Sequence, residues 1–468
     1  MSDDTWPAFY TLPSSPTITC QDRFGLLDAD TLDVPFWSVL TAVLTAPTPS
    51  LSAFLSLLDS IAVELRGTSP PDYDTLRAVL TTYEDPFLSS WPSIARLALS
   101  MPRLFPTHQL PVLAQGNVSR VELSREQVAC LVAHQFLGTM QAPAWQEGFQ
   151  NFDIWFQGEQ PHERAPGIYL AAVLEYFRGV ASADAPLKDR EWTVTYELVA
   201  GDEKSEKEGG EGGVDLGMGG WDAAMGEISL VSMSEKTSEA AFLGTNGDAV
   251  IIAANRFVGF GRSATQEEVF VGTTPEACPA VLVTPPLLSH QVLVVRGCEA
   301  TVKTVGQKRQ TRMAGVHGMR GSDSEISRKM WRDRTMLFMD ALELDSYTDG
   351  RYADLDSANI EREFRKAMVA FGSGRYHRIH TSLWGCGAFG GDPGVKMVIL
   401  WLAASIQGAA LTVTYEADRG DFAHNMLAFI DRVQPLALRA PKVVELLRTA
   451  DRQSLAKGAF LSWALSQI

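Results

Sequence analysis

The sequence predicts an α/β protein in two parts, an all-helical region followed by a mixed sheet flanked by helices. Three observations carry this. In the first part apolar residues recur at helical spacing, as Val128, Leu131, Val132 and Phe136 do on one face. After Pro186 the texture changes: Trp192-Thr193-Val194-Thr195-Tyr196 reads as strand, and strands then alternate with helices. The run Ala249-Val250-Ile251-Ile252-Ala253-Ala254, closed by Asn255, is too short and too apolar for a surface helix and suits a strand buried on both faces. These signals place a helical domain over 1–185 and a sheet domain over 186–468.

In chain order, Ser124-x-x-Gln127 is a capping-box pattern that opens the first well-marked helix. Ile168, Val173, Leu174 and Phe177 mark another, closed by Gly179. Residues 202–220 are acidic and glycine-rich with almost no large apolar side chains, the composition of a mobile surface loop. Further strands are predicted at 291–295, 335–339 and 410–415. Helices are predicted at 360–371, where Ile360, Phe364, Ala367, Met368 and Phe371 share a face, and at 422–433. The stretch 397–413 is the most membrane-like, but Gln407 and Gly408 interrupt it, and it reads as a buried helix running into a strand.

Composition bounds the function. With 468 residues and 46% hydrophobic content, the chain can build two sizeable cores. Cys20, Cys130, Cys278, Cys298 and Cys386 are odd in number and show no zinc spacing, which reads as reduced thiols. An acidic start without an apolar signal core argues for a nuclear or cytoplasmic protein that is not secreted. A formal charge of −16 argues against a broad nucleic-acid surface. Lys308, Arg309 and Arg312 form the one notable basic cluster and read as a solvated loop. His377 and His380 lack the partners of a zinc motif and read as a surface pair, so neither metal nor cofactor is expected.

Two segments carry chemistry. After the strand 249–254 come Gly259-Phe260-Gly261 and then Gln266-Glu267-Glu268. Glycines there either make a plain turn or bring backbone N–H groups close to an anion. Trp384-Gly385-Cys386-Gly387-Ala388-Phe389-Gly390-Gly391-Asp392 is a second glycine-rich run, ahead of a helix with Pro393 in its first turn. It suits a pyrophosphate cradle at a helix N-terminus, with Phe389 either packing into the core or stacking on a ligand.

Together these segments resemble the poly(ADP-ribose) glycohydrolase family, whose signature is a triple glycine, a spacer and Gln-Glu-Glu. The resemblance spans roughly 120–435, densest at the two glycine runs, and includes Glu235-Lys236-Thr237-Ser238-Glu239, Asp340-Ala341-Leu342, and the helical stretches 123–136 and 151–156. It implies a macrodomain-like catalytic domain behind a helical accessory domain. The implied partners are poly(ADP-ribose), its product ADP-ribose and poly(ADP-ribosyl)ated proteins, with no nucleic acid or membrane, in the setting of the DNA damage response. By the family pattern Glu268 is the acid and base and Glu267 holds ribose hydroxyls. Gly259, Phe260, Gly261 and Gln266 complete that loop. Backbone amides at Gly387, Ala388, Phe389 and Gly390 bind the diphosphate, Asn255 lies on the ribose side, and Glu239 and Tyr415 lie at the adenine.

The chain also departs from the pattern. Phe260 replaces a glycine where the family leaves room for the terminal ribose and diphosphate, and the spacer 262–265 is shorter than the family's. Ile252 stands in place of an aspartate and Leu383 in place of an asparagine, and no tyrosine lies between Phe270 and Tyr347 to clasp the ligand. Cleaving a ribose–ribose bond passes through an oxocarbenium-like state and needs a proton for the leaving oxygen, then an activated water. One buried carboxyl beside another can supply both. Consecutive residues on a regular strand face opposite ways, so an irregular loop after Gly261 is expected to bring Glu267 and Glu268 together. The expected function is a glycohydrolase; the alternatives are a non-catalytic ADP-ribose reader and a macrodomain acting on another ADP-ribose linkage.

Overall fold

The computed structural model describes residues 6–27, 33–116, 118–146, 148–181, 192–201, 222–233, 242–306, 310–317, 325–345, 352–451 and 453–468. The proposed boundary at 185/186, the loop 202–220, the segment 235–239, Lys308 and Arg309 lie outside these residues. The chain forms two compact units, each assembled from three stretches. The first comprises Met1–Tyr196, Phe257–Pro286 and Gly297–Arg332, and the second Glu197–Arg256, Leu287–Arg296 and Asp333–Ile468.

The first unit is built on helices Phe36–Thr45, Leu51–Arg66, Asp74–Thr82, Glu84–Leu99, Arg125–Leu137 and Ala165–Val180. The predicted capping box is present at Ser124, whose hydroxyl accepts from the Gln127 N–H. Arg125–Leu137 is buried almost all round, and the Phe136 ring lies 5.9 Å from Phe54, 5.9 Å from Phe156 and 5.4 Å from Phe177. Gly179 does not close its helix, which runs on to Val180. Short ladders also occur, Phe9–Thr11 with Gln109–Pro111 and Thr19–Gln21 with Asp33–Pro35. Three-residue strands are too short to leave a period in the sequence, so the expected all-helical region carries them unannounced.

The main sheet is mixed, with strands among the described residues in the order Arg120–Ser124, Thr193–Ala200, Gln291–Arg296, Thr335–Asp340, Ala249–Ala254, Arg378–Thr381, Ala410–Glu416 and Ile228–Met233. The first strand and the start of the second belong to the first unit, the others to the second. Thr335–Asp340 runs antiparallel to Gln291–Arg296, and all pairs from there to Ile228–Met233 are parallel. Helices Ser357–Gly372 and Pro393–Gln407 pack on one face. The second is buried along nearly its whole length, which is why its sequence looked membrane-like. Gly408 ends it at φ +74°, a left-handed cap, and the strand Ala410–Glu416 follows as expected. No helix among the described residues is long and apolar enough to cross a membrane.

Parallel strands align their carboxyl ends, and in α/β sheets ligands collect there. Ala254 pairs with Asp340, so Asn255 and Ala341 leave the sheet at the same level, next to the loop that follows Thr381.

Candidate active site

The acid-bearing segment belongs to the first unit. Phe260 is 3% exposed, its ring centroid 5.2 Å from those of both Phe152 and Trp155. The Trp155 indole N–H donates to Gly261 O at 2.6 Å, and the Tyr169 hydroxyl to Ser263 O at 2.6 Å. The expected crowding of the ligand by Phe260 is therefore corrected: its side chain turns into an aromatic core. The flanking glycines fill no space because none is left. A Cβ on Gly259 would come within 2.7 Å of Val281, and one on Gly261 within 1.9 Å of Glu268 Oε1.

The irregular loop expected around the acids is also corrected. Glu267 and Glu268 lie in the first turn of the helix Gln266–Gly272. Thr265 caps it in a second capping box: its hydroxyl accepts the Glu268 N–H at 3.3 Å, and Glu268 Oε2 accepts the Thr265 N–H at 3.1 Å. Glu267, 7% exposed, accepts the Gly259 N–H at 3.1 Å. Both side chains fold back over 259–265, so a regular helix turn brings the two carboxylates to one segment. Glu268 is half-buried, as is Gln266. Burial, and to a lesser degree the charge of Glu268, push the Tyr169 phenol well above its usual pKa, so a neutral hydroxyl stands near the acid.

The second glycine run belongs to the second unit. Trp384 is fully buried and donates to Met339 O at 2.9 Å. Gly385, at φ +71°, leaves no room for a side chain, since a Cβ would sit 2.6 Å from the Ala341 Cβ. Phe389 O accepts the Leu344 N–H at 2.8 Å, and Gly391 N donates to Gly385 O at 2.9 Å. The Gly390 N–H donates to Gly387 O at 3.1 Å, whereas the amides of Gly387, Ala388 and Phe389 meet no acceptor among the described residues. Gly387 and Ala388 are exposed. The helix N-terminus itself is already occupied, with buried Asp392 accepting the Val395 N–H at 3.0 Å. The amides left open here are those of the loop rather than of the helix end that the sequence suggested.

Asn255 is half-buried at the end of its strand; Tyr415 is half-buried too, its ring 6.4 Å from Phe422. Glu239 lies outside the described residues. Ile252 is fully buried opposite Phe338, and Leu383 packs against the core, so apolar packing replaces the polar supports. His380 is not a surface residue: its Nε2 lies 3.0 Å from Asp248 Oδ2, and burial pushes its pKa down, with Asp248 opposing. No group of metal-ligating side chains occurs among the described residues.

The sequence reading missed a charged network beneath these strand ends. Asp340 pairs with Arg362 and Lys366, and Arg362 also donates to Asp340 O at 2.7 Å. Glu363 accepts the Leu342 N–H at 2.8 Å and lies 3.0 Å from Lys396 Nζ. Periodicity gave little signal for this network, since Arg362 and Lys366 fall on the face away from the apolar stripe of Ile360, Phe364 and Ala367. The buried Lys366 ammonium also donates to Leu288 O at 2.9 Å and Gln291 O at 2.7 Å. Burial pushes its pKa down to about 8 from its ordinary 10.5, Asp340 opposing. The unfolded chain then holds this proton more tightly, so the group's contribution is full above pH 10.5 and is lost as pH falls through 8. Wild-type stability is expected to gain between these limits relative to Lys366→Met; parallel denaturation profiles across the window would contradict this.

Comparison with known families gives two matches. A helical-domain model of poly(ADP-ribose) glycohydrolase matches residues 82–197, and a model of that enzyme's macrodomain-fold region matches 222–420. The two together span well over half of the chain. The chain belongs to the poly(ADP-ribose) glycohydrolase family. Its class follows from that membership, a glycohydrolase acting on poly(ADP-ribose) with a macrodomain-fold region behind a helical one. Solved structures similar to it include two variants of the Deinococcus radiodurans poly(ADP-ribose) glycohydrolase in complex with ADP-ribose, at 14% and 15% identity, each match covering 47% of this chain and 86% of that one with a TM-score of 0.25. The assignment rests on the family models.

Proposed function

We propose that the chain releases ADP-ribose from poly(ADP-ribose) with Glu268 as its acid and base, Glu267 holding ribose hydroxyls, and the amides of Gly387, Ala388 and Phe389 taking the diphosphate. The observation that carries this is the Glu268 carboxylate folded close over Gly261, where any side chain would displace it, with one oxygen held by the Thr265 N–H. In the first step the Glu268 carboxyl gives its proton to the 2′-oxygen of the leaving ribose as the bond from that oxygen to the anomeric carbon breaks. In the second the resulting carboxylate takes a proton from water as the water oxygen bonds to the same carbon, which restores the acid. Asn255 on the ribose side, Glu239 and Tyr415 at the adenine, and Gly259, Phe260 and Gln266 around the acids complete the proposed set, with Phe260 acting through its backbone. The polymer's carriers are proposed to be poly(ADP-ribosyl)ated nuclear or cytoplasmic proteins.

The test is release of ADP-ribose from purified polymer, with ADP-ribose affinity measured by calorimetry on wild type and Gly387→Leu. Gly387 does not need a positive φ, and a Cβ there meets nothing within 4 Å, so the fold tolerates the change while the new side chain covers the open amides. Affinity is expected to fall at least about tenfold, the worth of one charge-assisted hydrogen bond. Tight binding without release by the wild type would make the chain a reader, and unchanged affinity in Gly387→Leu would remove the loop from the site.

A further inference from the structure

The macrodomain-fold region matched by the family model ends at residue 420, yet the chain beyond it comes back to the second glycine run. Gly458, at φ +89°, donates its N–H to Asp392 Oδ2 at 2.8 Å, while Oδ1 of the same carboxylate caps the helix Pro393–Gln407. Phe460 and Leu461 follow into the core, and a Cβ on Gly394 would come within 2.9 Å of Leu461. These contacts fix the backbone on either side of Lys457, whose ammonium donates to Gly390 O. All of these residues belong to the second unit.

A loop that binds an anion through its amides has to keep its carbonyls engaged elsewhere, because a carbonyl oxygen is the negative end of the same peptide dipole. Three carbonyls of this loop are each held by a donor. Gly387 O takes the Gly390 N–H at 3.1 Å, Phe389 O takes the Leu344 N–H at 2.8 Å, and Gly390 O takes Lys457. The third donor differs from the other two in coming from a side chain and in carrying a charge. That charge is set among carboxylates: buried Asp354 accepts the Asp392 N–H at 2.8 Å, and a Cβ on Gly390 would come within 3.1 Å of Asp345. Lys396, packed against Gly391, is already paired with Glu363.

We infer that Lys457 is a positioning residue for the diphosphate loop, holding Gly390 O so that the amides of Gly387, Ala388 and Phe389 stay open to the ligand, an inference that rests on the proposed function. Lys457 acts through Gly390 and not by touching the phosphates. Without it Gly390 O loses its donor, and the peptide that follows the open amides is free to turn its negative end toward them.

The test measures ADP-ribose affinity by calorimetry, and kcat and KM for release from the polymer, in wild type, Lys457→Met and Lys457→Arg. Lys457 is exposed, so the three melting temperatures are expected to agree. Lys457→Met is expected to weaken ADP-ribose binding and raise KM by about 2- to 13-fold, the worth of one hydrogen bond, with kcat unchanged. Lys457→Arg, which keeps a charged donor, is expected to bind as the wild type does. In a Gly387→Leu background, where the amides are already covered, Lys457→Met is expected to add little. Unchanged affinity in Lys457→Met, no rescue by Lys457→Arg, or an undiminished effect in the Gly387→Leu background overturns the positioning role. Failure of the wild type to bind ADP-ribose overturns the site reading itself, and the role with it.

Discussion

Glu268→Gln is expected to lower kcat for ADP-ribose release by about 10²- to 10⁴-fold, the usual worth of a positioned general acid and base, with ADP-ribose affinity held within a few-fold. The amide keeps the shape of the carboxyl and still offers an oxygen to the Thr265 N–H, so the capping box survives and the helix Gln266–Gly272 keeps its start. Gly261→Ala should approach the same loss without touching the acid. The new Cβ would fall 1.9 Å from Glu268 Oε1 and 2.7 Å from its Cδ, so the side chain must swing away and give up its bond from the Thr265 N–H, at a cost of about 1 kcal/mol. Turnover should therefore collapse while the melting temperature falls by only a few degrees. Full activity in Gly261→Ala would show that the observed carboxylate position is not the one used in catalysis.

Arg125→Met is expected to cost about 3–5 kcal/mol of stability, the largest effect foreseen away from the acids. Arg125 is fully buried, with Nε 2.8 Å from Glu276 and Nη2 2.9 Å from Glu299, and its guanidinium lies 3.9 Å from the centroid of the Trp192 ring. Glu276 is tied further, accepting the Glu299 N–H at 3.0 Å and the Tyr176 hydroxyl at 3.3 Å. Removing this cation takes from both buried carboxylates the charge they share. The deficit of the variant against wild type is read from urea midpoints. A deficit below 1 kcal/mol at neutral pH would mean that water or a neighbouring group already neutralises the pair.

Much of this was legible from residue order. The strand Ala249–Ala254 and the helix over 360–371 were readable because apolar runs and stripes are local. The two glycine runs stood out because loops that approach a ligand have few other residues to use. The direction of Phe260 was not legible, because it depends on Phe152 and Trp155, over a hundred residues earlier in the chain. The fold of the acid pair was hidden for a different reason: Thr265-x-x-Glu268 is the same capping pattern as Ser124-x-x-Gln127, but a helix of seven residues behind two glycines leaves too short an apolar stripe to tell it from a loop. The Asp340 network was hidden because Arg362 and Lys366 resemble any solvated helix face until their strand partners are known.

The assembly of each unit from three stretches has a practical consequence. Cutting the chain near residue 197, where a matched helical region ends, would appear to isolate a self-sufficient catalytic half. Such a fragment would still contain Glu267 and Glu268, but Phe260 would have lost both rings that bury it and Gly261 the indole that holds its carbonyl. The helical region is thus part of the scaffold of the acids, and a gene shortened to the macrodomain-like remainder would encode the carboxylates without the packing that aims them.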